Sequence, residues 1–93
     1  PAAAGKQAQV TKEQAAAKRE REAPLRKREK QLERKINDLN SELRSLETQL
    51  SDSTLYDDSN KKQLTDLLQR QGELKIQLAD LEEAWMEVLE QLQ

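Results

Sequence analysis

The sequence predicts an all-α fold: a two-helix antiparallel coiled-coil hairpin with a flexible N-terminal arm. Three observations predict it. Leucines recur at heptad spacing in two separate stretches, and a short acidic break rich in capping residues divides them. The 93 residues are 37% charged and only 2% aromatic, too few large rings for an ordinary globular core. Such a composition, dominated by Ala, Glu, Lys, Leu, Arg and Gln, belongs to long helices and coiled coils. The length allows one small domain. The chain opens on Pro1 rather than Met, as expected of a piece excised from a longer protein.

Residues 1–23 read as a linker or partly helical basic arm. The first ten, PAAAGKQAQV, are small and polar and read as linker. Thr11 followed by Gln14 fits a helix-start box, so a helix is expected from Lys12 to Ala23. That stretch has no apolar stripe to bury, which predicts fraying. Pro24 marks a boundary, at the first turn of a helix or at a kink.

Residues 24–93 read as the hairpin, with a helix over about 24–51, a turn over 52–58 and a helix over about 59–92. In the first helix Leu25, Leu32, Leu39 and Leu46 repeat every seven residues. Ile36, Leu43 and Leu50 interleave with them, which makes a seam of alternating a and d positions. Glu29 stands at the one a position without an apolar side chain. Residues 51–58, SDSTLYDD, end the pattern. One of Asp57, Asp58, Ser59 or Asn60 is expected to cap the next helix, with Leu55 and Tyr56 folded over the last core layer. The second seam runs Leu64, Leu67, Gln71, Leu74, Leu78, Leu81, Trp85, Val88 and Leu92 at spacings of three and four without a slip.

Two amphipathic helices with a short connection pack antiparallel. The matched stripes set a register in which Leu50 faces Leu64, Leu39 faces Leu74, Leu32 faces Leu81 and Leu25 faces Val88. Glu29 then lies opposite Trp85, where the largest side chain needs room. One charge pair, Glu42 with Arg70, should cross the seam. The hairpin should be about 40–45 Å long at ~1.5 Å per residue.

Composition excludes most chemistry. With no His and no Cys there is no His/Cys metal site, no thiol nucleophile and no Ser-His-Asp triad. Two distant glycines, Gly5 and Gly72, cannot make a phosphate-cradling loop. No apolar run approaches the length of a membrane span. The fragment carries no catalytic residue and no cofactor of its own. The carboxylates of the second helix and of the tip read as a solvated face and as caps.

The charge is unevenly laid out. Residues 1–35 hold 11 basic and 5 acidic residues, a net of +6, while residues 36–93 hold 5 basic and 13 acidic, a net of −8. The basic cluster comprises Lys18, Arg19, Arg21, Arg26, Lys27, Arg28, Lys30, Arg34 and Lys35. Arg26, Lys30 and Arg34 form a like-charged row at i, i+4 spacing, which costs a few tenths of a kcal/mol per step. A solvated charged face and a phosphate-binding patch are both consistent with this pattern. Trp85 and Tyr56 read as core and turn residues, so base stacking is not expected. Contacts would run from Arg and Lys to phosphate, with little sequence readout and a steep salt dependence.

Residues 50–92, from the acidic turn with Leu55-Tyr56 to Glu82-x-x-Trp85 and the carboxylates after it, resemble the C-terminal domain of bacterial ABC-F ATPases of the YheS and Uup types. The resemblance covers roughly residues 20–92. It implies a cytoplasmic parent with two ATP-binding cassettes and no membrane domain, acting on ribosomes, with ATP and Mg held in the cassettes and not here. It implies a C-terminal coiled-coil hairpin able to contact DNA or ribosomal RNA. The expected function is therefore an accessory nucleic-acid-binding domain that uses the basic face of the first helix. The alternative is a protein-docking module that binds a ribosomal protein or its own ATPase cassettes. The short turn and matched stripes favour a monomer over a coiled coil between chains.

Overall fold

The computed structural model describes the backbone of residues 2–93 and the side chains of residues 11–93. Two long helices, α1 (Ala2–Leu50) and α2 (Lys61–Leu92), pack side by side as a hairpin. Two short 3₁₀ turns, Ser53–Tyr56 and Asp58–Asn60, join them. There is no strand among the described residues.

The heptad pattern is the folding signal. Every a and d position of both seams is buried or half-buried. Leu32 and Leu74 are wholly enclosed, and Leu46, Leu78 and Val88 are nearly so. The register shows in the pair between the helices: the Arg70 Nε donates to Glu42 Oε1 at 2.8 Å and its Nη2 to Oε2 at 3.1 Å. This two-pronged match of guanidinium and carboxylate holds both charges in one geometry. It keeps the Glu42 carboxyl below its ordinary pKa, chiefly through the hydrogen bonds from Arg70. Trp85 sits half-buried in the seam, and its Nε1 makes no hydrogen bond.

The connection departs from expectation in two respects. Leu55 is buried over the last core layer, but Tyr56 is 58% exposed. Its ring stays outside because its hydroxyl reaches back and donates to the carbonyl of Leu50 at 2.8 Å. That carbonyl is one of those the end of α1 leaves without a partner. Asn60 takes the N-cap position of α2 without capping through its side chain. Its Nδ2 instead donates to the Thr54 carbonyl at 2.8 Å and braces the turn. The side-chain cap belongs to Asp52, which accepts from the Thr54 amide at 3.0 Å and the Thr54 hydroxyl at 2.8 Å. These bonds lower the Asp52 pKa.

The first helix is also longer than its seam. It passes through Thr11 and Pro24, so neither residue begins it. Pro24 lacks the N–H that would bond the carbonyl of residue 20, yet the helix continues past it. The linker expected over residues 1–10 is corrected as well: from Ala2 on, the backbone is already part of α1. The molecule measures 82 × 17 × 14 Å. A 32-residue α2 accounts for about 48 Å of that length at ~1.5 Å per residue. The remainder is α1 running on beyond the end of α2.

Candidate nucleic-acid interface

The basic residues lie on the far half of α1: Lys18, Arg19 and Arg21 at or beyond the last turn of α2, and the other six alongside it. All nine sequence-predicted cations, Lys18, Arg19, Arg21, Arg26, Lys27, Arg28, Lys30, Arg34 and Lys35, are solvent-exposed. Helix geometry sorts them into rows. Arg26, Lys30 and Arg34 stand four apart on one face, and Arg21, Arg28 and Lys35 stand seven apart along the opposite flank of the seam. From Lys18 to Lys35 the cations spread over about 26 Å of helix.

Few of these charges are neutralised within the chain. Glu22, whose side chain is only 13% exposed, holds Arg26 at 2.9 Å and Lys18 at 3.8 Å. The other seven make no ion pair among the described residues. The register explains the lack of partners across the seam. The flank that carries the Glu42–Arg70 pair continues with Lys35 beside Gln77, and these two line one groove with Asp38, Leu39, Asp80 and Leu81. One heptad further along, Arg28 comes level with Ala84. On the other flank Glu33 and Glu82 line a common groove with Trp85, so two like charges meet there. Carboxylates of the second helix, Asp80 among them, lie along this stretch, but none forms an ion pair with these cations among the described residues.

Helical continuity adds a residue that the sequence reading left out. Lys12 is exposed on α1, seven residues before Arg19, and Arg19 is seven before Arg26. The signal was the spacing of seven, hidden because Pro24 and the missing apolar stripe suggested a frayed segment set apart from the hairpin helix.

The arrangement is suited to holding an extended polyanion by many separate contacts. Among the described residues no cluster of His, Cys, Asp or Glu fits a metal ion. No described helix is long and apolar enough to cross a membrane.

Comparison with known proteins places this geometry in context. The family model for the ABC transporter C-terminal domain matches residues 24–90. The chain is 49% identical over 45 residues to the probable ATP-binding protein YheS of Escherichia coli K12, and equally to that of Escherichia coli O157:H7. The match covers 48% of the chain and 7% of each relative, so the chain corresponds to a small part of those proteins. No solved structure matches it.

Proposed function

From the premise that the chain belongs to the ABC transporter C-terminal domain family and is the C-terminal domain of an ABC-F protein, we propose that it is the parent's nucleic-acid-contacting accessory domain. The parent is an ATPase that carries ATP and Mg in its cassettes, works in the cytoplasm and acts at the ribosome. The basic face of α1 rests on phosphates of DNA or ribosomal RNA and helps to position the cassettes. The hairpin acts as a monomer.

One observation carries this reading. Seven exposed cations of one helix make no ion pair among the described residues, and several stand in like-charged rows that weaken the helix on their own account. Phosphates placed along those rows would relieve the repulsion and release the counterions condensed on the nucleic acid. Lys18 and Arg26 already share Glu22 and should contribute less than Lys27, Lys30 and Arg34, which point away from α2.

The test is charge reversal. Lys27→Glu, Lys30→Glu and Arg34→Glu together should abolish most binding to duplex DNA and to structured RNA while leaving the thermal unfolding of the hairpin in place. Neutralising Lys18 and Arg26 should weaken binding less. Unchanged binding by the triple variant removes this face from the account. Absence of binding by the parent sequence to either polymer replaces the reading with protein docking.

A further inference from the structure

The face of α2 outside the seam carries apolar side chains that stay largely exposed, Met86 at its edge bordering a groove shared with Glu33, Ile36 and Asn37 of α1. Leu68 is 48% exposed, Ile76 66% and Met86 58%. With Gly72 and Ala79 they make a stripe at spacings of four, four, three and seven, which keeps them on one side of the helix. Gly72 lies in that stripe between Leu68 and Ile76. A Cβ built there meets nothing within 4 Å, so no internal contact requires a glycine. A glycine inside a helix costs about 1 kcal/mol relative to alanine. Here it leaves a notch on the outer surface, where a second backbone can approach.

Carboxylates border the stripe. Asp66, Glu73, Asp80 and Glu87 follow one another at intervals of seven along one edge. Toward the end of α2, Ala79 and Met86 share a shallow depression of about 480 Å³ with Glu82, Glu83, Glu87 and Glu90. Among the described residues, Glu73 is the one of these carboxylates that makes an ion pair, with Arg70 at 3.4 Å.

We propose that this face is a docking surface for a partner protein's amphipathic helix, one with a stripe of large apolar side chains edged by Lys or Arg. Knobs of such a helix fill the notch at Gly72 and the depression at Met86, and its cations lie along the row of carboxylates. A second copy of this chain does not offer that chemistry: before Leu25 its basic stretch has no apolar stripe, and from Leu25 on the stripe, with Leu32 fully buried, is already covered by its own α2. The surface is on the helix that carries none of the phosphate-binding cations, so it stands or falls independently of the nucleic-acid reading.

The probe is a synthetic helical peptide with leucine along one stripe and lysine along both edges, titrated into the full 93-residue chain with amide shifts as readout. Shifts centred on Leu68, Gly72, Ile76, Ala79 and Met86 are expected. A peptide with its leucines replaced by glutamine, and one with its lysines replaced by glutamate, should each bind at least about tenfold more weakly. Leu68→Gln with Ile76→Gln should weaken the probe by a similar factor with no loss of thermal stability, since both side chains are exposed. The proposal is overturned by equal binding of the control peptides, by shifts on α1, by an unaffected double variant, by no binding, or by self-association of the chain through this face in sedimentation.

Discussion

Gly72 and Glu42 show how single positions set the behaviour of a molecule with so thin a core. Gly72 sits on an exposed helix face with open space where a side chain would be. Gly72→Ala should therefore stabilise the free hairpin by about 1 kcal/mol, raising its melting temperature by roughly 4–8 °C. A scanning denaturation experiment reads this directly, and a drop would mean that α2 needs the glycine for a reason outside its own packing. Glu42 answers to pH. Its carboxyl is held below its ordinary pKa by the hydrogen bonds from Arg70. A carboxylate lowered in the folded state contributes stability above its unfolded pKa and loses it as pH falls through the folded value. The stability difference between the chain and its Glu42→Gln variant should thus be fully present at neutral pH and shrink on acidification below the usual glutamate range. A difference that stays constant across that range would mean that the pair holds register by shape and not by charge. Asp52, lowered by Thr54, adds a titration of the same sign at the turn.

At the level of the helices, the hairpin's seams could be written from the sequence alone. Leucines at spacings of three and four must be covered, and the short connection brings an antiparallel partner of matching length from the same chain. The Glu42–Arg70 pair followed from that register. The ends of the elements were less legible. Tyr56 looked like a core residue of the turn because it is aromatic, whereas its hydroxyl has a backbone carbonyl to satisfy. Asn60 looked like a cap because of its residue type, but its amide braces the turn. The early start of α1 was hidden because residues 12–23 have no apolar periodicity and Pro24 interrupts the hydrogen-bond ladder. Pro24→Ala restores an N–H to that ladder and removes a ring from the helix interior, an effect of up to about 3 kcal/mol locally. Far-UV circular dichroism should report increased helicity for the variant. Unchanged helicity would mean that the stretch before Pro24 gains nothing from continuity with the hairpin. The basic rows were legible as a composition, but the scarcity of their ion pairs among the described residues emerged once the facing residues Gln77 and Ala84 were placed.

Over the whole molecule, charge is separated along and across an 82 Å rod. The α1 end is basic and outlasts its partner helix, while α2 is acidic with an apolar outer stripe. Such a layout lets one accessory domain hold a polyanion at one end and a basic protein surface along its side, each with little interference from the other. The phosphate-binding end is the central claim, and salt tests it most directly. The measurement is a titration of the chain with duplex DNA and with structured RNA, read by amide shifts, at about 50 and 200 mM salt. The account predicts shifts confined to residues 12–35 and an affinity that falls by about a thousandfold or more between the two conditions, as expected when six or more phosphates are engaged. Shifts that spread over α2, or an affinity indifferent to salt, would contradict it.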